Sequence, residues 1–235
     1  MPASSRAAAQ LMQGRWFKTL PEALRQYLLT EASEISLAPG ARLFARDDAA
    51  DGLYAVVQGS IRISSGDDQA REAILAFVSP PEWFGEIALF DGKTRTHDAF
   101  AAGETQLVHV DQDRLLGFLR EYPRYWQDLG LLLTTKLRQT FSFMEDATLL
   151  PSSVRMARRL ASMVENFGEQ AGRSRRVVEL QQDQLAKLIG VSRQTCNQIL
   201  KELESQGCIS IAYGRIEILD SAALRQFVPQ KGSSR

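Results

Sequence analysis

The stretch that decides the architecture is Gln182 to Gly207, QDQLAKLIGVSRQTCNQILKELESQG. Ala186 is small where two helices would cross, and Gly190, four residues later, supplies the turn. Ser192 stands at the N-cap of a second helix, and Cys196 and Ile199 turn that helix's apolar face inward. These positions constrain one another, so the spacing predicts a helix-turn-helix rather than a chance helical hairpin. Directly after it, residues 207–218 (GCISIAYGRIEI) alternate in period two around Gly214, which predicts a β-hairpin wing. With Ser192 opening the second helix, Arg193, Gln194, Asn197 and Gln198 face outward on its first turns. Such residues reach base edges in the major groove, arginine pairing with guanine and glutamine or asparagine with adenine. Lys201 and Arg215 suit phosphate contacts. For each of these residues the alternative is an ordinary solvated side chain.

Working back from this motif, Pro151 sits in LLPSS at 149–153 and marks a boundary, because proline pushes Leu150 out of helical geometry and a serine can cap the next helix. Residues 154–168 (VRMARRLASMVENFG) read as an amphipathic helix ending at Gly168, followed by the polar loop EQAGRSRR at 169–176. Before the boundary, a long helix is expected from about Arg124 to Ala147. Trp126, Leu129, Leu133, Leu137, Thr140, Met144 and Ala147 recur on it at steps of three and four. Such a stripe seeks a partner helix, and Leu131, Leu132, Phe141 and Phe143 widen it, so the predicted packing is against the chain's own body and a second subunit at once; the alternative is a purely intrachain helix against the β-roll. A shorter helix, DQDRLLGFLREYP, ends at Pro123.

From about 35 to 110 the pattern is short apolar alternations broken by Pro39-Gly40, Gly52, Gly59, Gly66 and Gly103. Strands of this length and spacing predict an antiparallel barrel or roll rather than βαβ units. The fold class is therefore α+β, with a β-roll region at 1–110, flanking and dimerisation helices at 111–150, and a winged helix-turn-helix at 151–235.

Within the roll, WFGEIALFDGKTRT at 83–96 carries the second chemistry. Gly85 lets the backbone approach closely, the amides of a following short helical turn point at an anion, and Arg95 brings a charge-assisted fork. Glu86 cannot serve a phosphate, since like charges repel, but it can accept from a ribose hydroxyl. The competing reading is an Arg95–Glu86 salt bridge that staples a roll taking no ligand.

The order of β-roll, long helix, hinge and winged helix resembles the CRP/FNR superfamily of bacterial regulators, from about residue 20 to residue 227. The V-S-R-x-T core at 191–195 matches that family, which adds Ser192 and Thr195 to the DNA-contacting set, and G-E-x-A-L at 85–89 with Arg95 matches its phosphate-binding cassette. The resemblance implies that Glu86 holds a ribose 2′-hydroxyl, Arg95 and Thr96 the cyclic phosphate, and Gly85, Ile87 and Ala88 contribute backbone groups. It places Thr140 where the catabolite-activator type contacts adenine, and Phe141 where that type has a serine. Cyclic AMP is then the leading effector, with cyclic GMP, a cyclic dinucleotide or no ligand as alternatives. The resemblance further implies a homodimer on twofold-symmetric double-stranded DNA, in contact with RNA polymerase. The catabolite-activator type carries Arg-Glu-Thr and a second Arg where this chain has Arg193, Gln194, Thr195 and Gln198. Because glutamine favours adenine where glutamate accepts from cytosine, a non-identical half-site is expected.

Composition fits these expectations. The 235 residues are 44% apolar and 24% charged, a globular balance compatible with two unequal domains. The net charge of zero divides unevenly: residues 1–150 hold 15 Lys+Arg against 20 Asp+Glu (−5), and residues 151–235 hold 13 against 8 (+5). A basic C-terminal part suits a polyanion. No apolar run approaches the roughly 20 residues that span a bilayer, and the N-terminal residues lack a signal-peptide core, so a cytoplasmic, membrane-free protein is expected. Cys196 and Cys208 are too few for an iron-sulfur cluster and lack zinc spacing; Cys196 reads as a small buried residue rather than a redox switch. His97 and His109 are the only histidines, both read as ordinary surface or strand residues rather than haem ligands. No catalytic constellation or nucleotide-hydrolysis loop is present, so no enzyme and no required cofactor are expected.

Overall fold

The computed structural model describes residues 3–66, 72–166, 176–178, 180–212 and 215–229. The chain forms two compact units, Met1–Gln139 and Thr140–Arg235.

In the first unit, helices α1 (Ser5–Leu11), α2 (Arg15–Thr19) and α3 (Glu22–Glu31) precede eight strands: β1 (Ser33–Leu37), β2 (Arg42–Phe44), β3 (Gly52–Gln58), β4 (Ile61–Gly66), β5 (Glu72–Val78), β6 (Trp83–Phe84), β7 (Asp98–Ala101) and β8 (Thr105–Asp111). The short helix α4 (Ile87–Asp91) lies between β6 and β7. Two four-stranded antiparallel sheets result, ordered β1-β8-β3-β6 and β2-β7-β4-β5, which is the predicted roll. β3 shows why its sequence is nearly all apolar. Leu53 and Ala55 join a core with the helices, whereas Tyr54 and Val56 join a second core inside the roll, so both faces of the strand are covered. The three N-terminal helices escaped the sequence reading although Leu20, Leu24 and Leu28 recur at helical spacing and are buried.

After the roll come α5 (Gln112–Glu121), capped by the Asp111 carboxylate accepting from the Arg114 amide at 3.0 Å, a 3-10 turn at Pro123–Tyr125, and the long helix α6 (Trp126–Leu149). The apolar stripe of α6 divides along its length. Leu129 and Leu132 are buried in the helical core, whereas Leu137, Phe141 and Met144 are 50–60% exposed. Leu150 lies just past the end of α6, as expected, with its amide still donating to the Asp146 carbonyl at 3.0 Å. Helix α7 (Ser152–Asn166) begins directly after Pro151, with the serines inside its first turn rather than ahead of it; a proline is tolerated there because the first amides of a helix have no intrahelical acceptor.

The second unit continues with β9 (Arg176–Val178), α8 (Gln182–Ile189), α9 (Arg193–Ser205), β10 (Ile209–Ala212), β11 (Arg215–Ile218) and α10 (Ser221–Arg225). The predicted wing is present, with Ile209 opposite Ile218 and Ala212 opposite Arg215. β9 pairs with β11 as a third strand, so Arg176, read as the end of a polar loop, instead opens a strand. The expected helix stop at Gly168 and the hairpin centre at Tyr213 and Gly214 lie outside the described residues.

Candidate effector cradle and nucleic-acid interface

Gly85 adopts φ +94°, and a Cβ there would stand 2.9 Å from Arg95 Nη1 and 3.0 Å from the Gly52 carbonyl oxygen. Glycine thus lets the Arg95 guanidinium come against the backbone. Arg95 is 4% exposed. Its Nη1 donates to the Gly85 carbonyl at 3.2 Å, and its Nη2 donates to the Gly52 carbonyl at 2.8 Å and to Asp51 Oδ1 at 2.5 Å. The guanidinium also stacks on Phe44, 4.4 Å from the ring centroid, and lies 5.5 Å from that of Tyr54. Its buried Nε–H makes no hydrogen bond among the described residues. Since an unmade buried donor costs roughly 1–3 kcal/mol, the cradle has a use for one more acceptor.

Asp51 is the anchor of this arrangement. Its Oδ2 accepts from the Tyr54 hydroxyl at 2.5 Å, and its carbonyl oxygen lies 3.1 Å from His109 Nε2. Partial burial opposes ionisation of the carboxyl, but the hydrogen bonds from Tyr54 and Arg95, with the charges of Arg95 and His109, outweigh it and hold its pKa below the ordinary value. Burial and the same Asp51 bond push the Tyr54 phenol up.

Glu86, 3% exposed, is paired with Lys136 Nζ of α6 at 2.7 Å. The Arg95–Glu86 staple considered from the sequence is therefore not the pairing adopted; each group has its own partner of opposite charge. Ile87 opens α4, with its side chain 41% exposed, and Ala88 is buried. Thr96 follows Arg95 at the surface, its hydroxyl 2.9 Å from His97 Nδ1. Burial, then the Arg46 charge, lowers the His97 pKa. Thr140 lies on α6 within the second unit. The structure thus gathers Gly85, Glu86, Ile87, Ala88, Arg95 and Thr96 in one unit. Asp51, Tyr54, Phe44 and Lys136 are the residues the sequence reading missed.

In the helix-turn-helix, Gly190 takes the left-handed conformation (φ +74°) and, with Val191, returns its amide to the Ala186 carbonyl at 2.9 and 3.0 Å. The Ser192 hydroxyl accepts from the Thr195 amide at 3.0 Å and lies 2.9 Å from the Thr195 hydroxyl. Ala186, Cys196, Ile199, Leu200 and Leu203 are buried. Arg193, Gln194, Gln198 and Lys201 are exposed on α9, Arg215 is exposed on the wing, and Thr195 and Asn197 are half-buried. Burial, then the Asp183 carboxylate, pushes the Cys196 thiol up to about 11, so it packs as a small apolar group.

Residues 34–122 match the cyclic nucleotide-binding domain family, and residues 154–227 match the Crp-like helix-turn-helix domain family. The CRP-like cAMP-activated global transcriptional regulator of Mycobacterium tuberculosis is 29% identical over 198 residues, covering 84% of this chain and 88% of that protein. The cyclic AMP receptor protein of Thermus thermophilus is 26% identical over 188 residues, covering 80% and 84%. Among solved structures, FixK2 from Bradyrhizobium japonicum shares the fold with a TM-score of 0.74 at 21% identity, covering 83% of this chain and 96% of that one. With a buried arginine cradle in the first of these domains and an exposed recognition helix in the second, the chain belongs to the CRP/FNR family of DNA-binding transcription regulators.

Proposed function

We propose that this regulator is gated by a small phosphate-bearing effector held in the cradle, a cyclic nucleotide with cyclic AMP first among them. The observation that carries the reading is Arg95, a buried guanidinium drawn against the Gly85 backbone with one N–H unused among the described residues. Arg95 and Thr96 take the cyclic phosphate, and Glu86 takes the ribose hydroxyl. The Glu86–Lys136 ion pair supports a path from the cradle to α6, because a hydroxyl donated to Glu86 competes with the Lys136 ammonium. Thr140, one turn after Lys136 on the same helix, is the base contact by resemblance. The names of the Mycobacterium and Thermus relatives favour cyclic AMP.

The working form is a homodimer joined along α6, supported by the exposed apolar residues Leu137, Phe141 and Met144, which share one helical face. Each α9 then reads one half-site in the major groove, with centres about 34 Å apart. Arg193 reads guanine, Gln194 and Gln198 favour adenine, Asn197 lies beside them, and Ser192, Thr195, Lys201 and Arg215 serve the backbone. Effector binding needs only to prefer the state in which the hinge at Leu150–Pro151 spaces the two recognition helices correctly. RNA polymerase is the further partner by resemblance. A cytoplasmic location suits a DNA-binding partner, and no helix among the described residues is long and apolar enough to cross a membrane.

A second reading rests on the same cradle: Asp51 already neutralises Arg95 and Lys136 neutralises Glu86, as in a roll that serves only as a scaffold. Calorimetric titration with cyclic AMP and cyclic GMP, alongside DNA binding with and without each nucleotide, separates the two. Saturable binding that Arg95→Ala abolishes, together with nucleotide-dependent DNA affinity, establishes gating; DNA binding indifferent to both nucleotides favours the scaffold.

A further inference from the structure

We infer that Asp51 is a built-in competitor for the effector's anion, a carboxylate that holds the Arg95 guanidinium until a phosphate displaces it. The inference rests on the reading that this roll takes a phosphate-bearing effector, and it names what sets the strength of that binding.

Three observations carry it. Asp51 Oδ1 sits 2.5 Å from Nη2 of an arginine that is almost wholly buried, while the neighbouring Nε–H is unbonded among the described residues. Nε and Nη2 form the edge of a guanidinium that an oxyanion bridges with two parallel bonds. Asp51 takes one of the two Nη2 donors, and the Gly52 carbonyl takes the other. Second, the Asp51 side chain is itself 56% exposed, so its carboxylate has solvent to turn into. Third, the Asp51 backbone is fixed independently of the side chain: the Gln112 amide donates to its carbonyl oxygen at 2.9 Å, and His109 Nε2 lies 3.1 Å from the same atom. The carboxylate can leave by side-chain rotation without moving β3 or β8. Tyr54 holds it from the other side through Oδ2, so departure breaks one ion pair and one hydrogen bond. Two anions on one guanidinium repel, so phosphate and Asp51 exclude each other there.

The opposite role for Asp51 is to position Arg95 for the phosphate, in which case its removal weakens binding. The experiment compares full-length protein, Asp51→Asn, Asp51→Asn with Arg95→Gln, and Tyr54→Phe. The first readout is thermal melting in sodium phosphate against sodium chloride at equal ionic strength; the second is calorimetric titration with cyclic AMP and cyclic GMP. Phosphate is expected to raise the Tm of Asp51→Asn selectively, and the gain should vanish in the double variant. Nucleotide affinity should rise about tenfold in Asp51→Asn, the order of one charge-assisted contact, and by a smaller factor in Tyr54→Phe, which keeps the ring and fold while loosening the competitor. Selective phosphate stabilisation without nucleotide binding by any variant supports the competitor and removes cyclic nucleotides as effector. Equal nucleotide affinity in all Arg95-containing proteins, or weaker binding in Asp51→Asn, overturns the competitor and leaves the gated reading standing. Should Asp51→Asn not fold, unchanged or weakened nucleotide affinity in Tyr54→Phe overturns it.

Discussion

On the proposed reading the cradle and the recognition helix both meet phosphate-bearing partners, yet their side chains are kept in opposite states. Arg95 and Glu86 are buried, and each is held by an opposite charge. Arg193, Gln194 and Gln198 stand exposed on α9. A partner at the recognition helix adds contacts to solvated groups and displaces counterions and water. A partner at the cradle, as proposed, exchanges contacts, breaking internal ion pairs to form new ones. Exchange gives a threshold, because the net gain is a small difference between large terms. The DNA-binding face needs no such threshold of its own.

The largest effect that tests this contrast is at Gly85. In Gly85→Ala the Cβ meets Arg95 Nη1 at 2.9 Å and the Gly52 carbonyl at 3.0 Å, at a φ of +94° that side chains rarely adopt. The cost should be about 2–3 kcal/mol, from backbone strain and a displaced buried guanidinium, read by urea denaturation. Gly190 is equally left-handed, but a Cβ there meets nothing within 4 Å. Gly190→Ala should cost only about 1 kcal/mol. Equal losses at the two glycines would mean that close approach in the cradle contributes nothing.

Next in size is Arg193→Ala. Loss of one bidentate base contact should weaken binding to a selected operator by about 1–3 kcal/mol and relax preference at one base pair, with folding stability unchanged. Lys201→Ala should instead weaken all sequences alike and lower the slope of affinity against salt by about one. Competition binding at several salt concentrations separates the two, and a uniform loss for Arg193→Ala would make it a backbone contact.

The same contrast explains what the sequence disclosed. In the helix-turn-helix every deciding interaction is local: the Ser192 cap meets Thr195, Gly190 returns to Ala186, and apolar positions follow at helical spacing. A local alphabet of caps, glycines and periodicity therefore reads it through. In the cradle the order Gly85, Glu86 and Arg95 is equally local, but their partners are not. Asp51 lies 44 residues before Arg95 and Lys136 lies 50 after Glu86. Asp51 follows Asp47-Asp48-Ala49-Ala50 in a loop, and Lys136 stands between Thr135 and Leu137 on α6, so neither carries a local mark of its role. The pairing of β3 with β6, the backbone bonds that join Asp47 and Asp48 to Arg95, and the packing of the first half of α6 on the helical core bring them in. β9 was hidden for a similar reason, since three residues make a strand only when β11 lies beside them.

The smallest effect is a pH dependence that the two regions should not share. Asp51 has its pKa depressed in the fold, so its contribution to stability is complete above the unfolded carboxyl value of about 3.9 and is lost as pH falls through the folded value. Protonated Asp51 and asparagine are nearly equivalent toward Arg95. The stability gap between the native chain and Asp51→Asn should hold steady at neutral pH, then close below about pH 4. The half-exposed carboxylate limits the gap to about 1 kcal/mol. The N-cap variant Ser192→Ala should also cost about 1 kcal/mol, but through a neutral hydroxyl, so its gap should stay flat over the same range. Urea titrations of the three proteins from about pH 7 to about pH 3 compare the slopes directly. A flat Asp51→Asn gap would mean that the carboxylate contributes shape to the cradle rather than charge, and the exchange of anions on Arg95 would lose its physical basis.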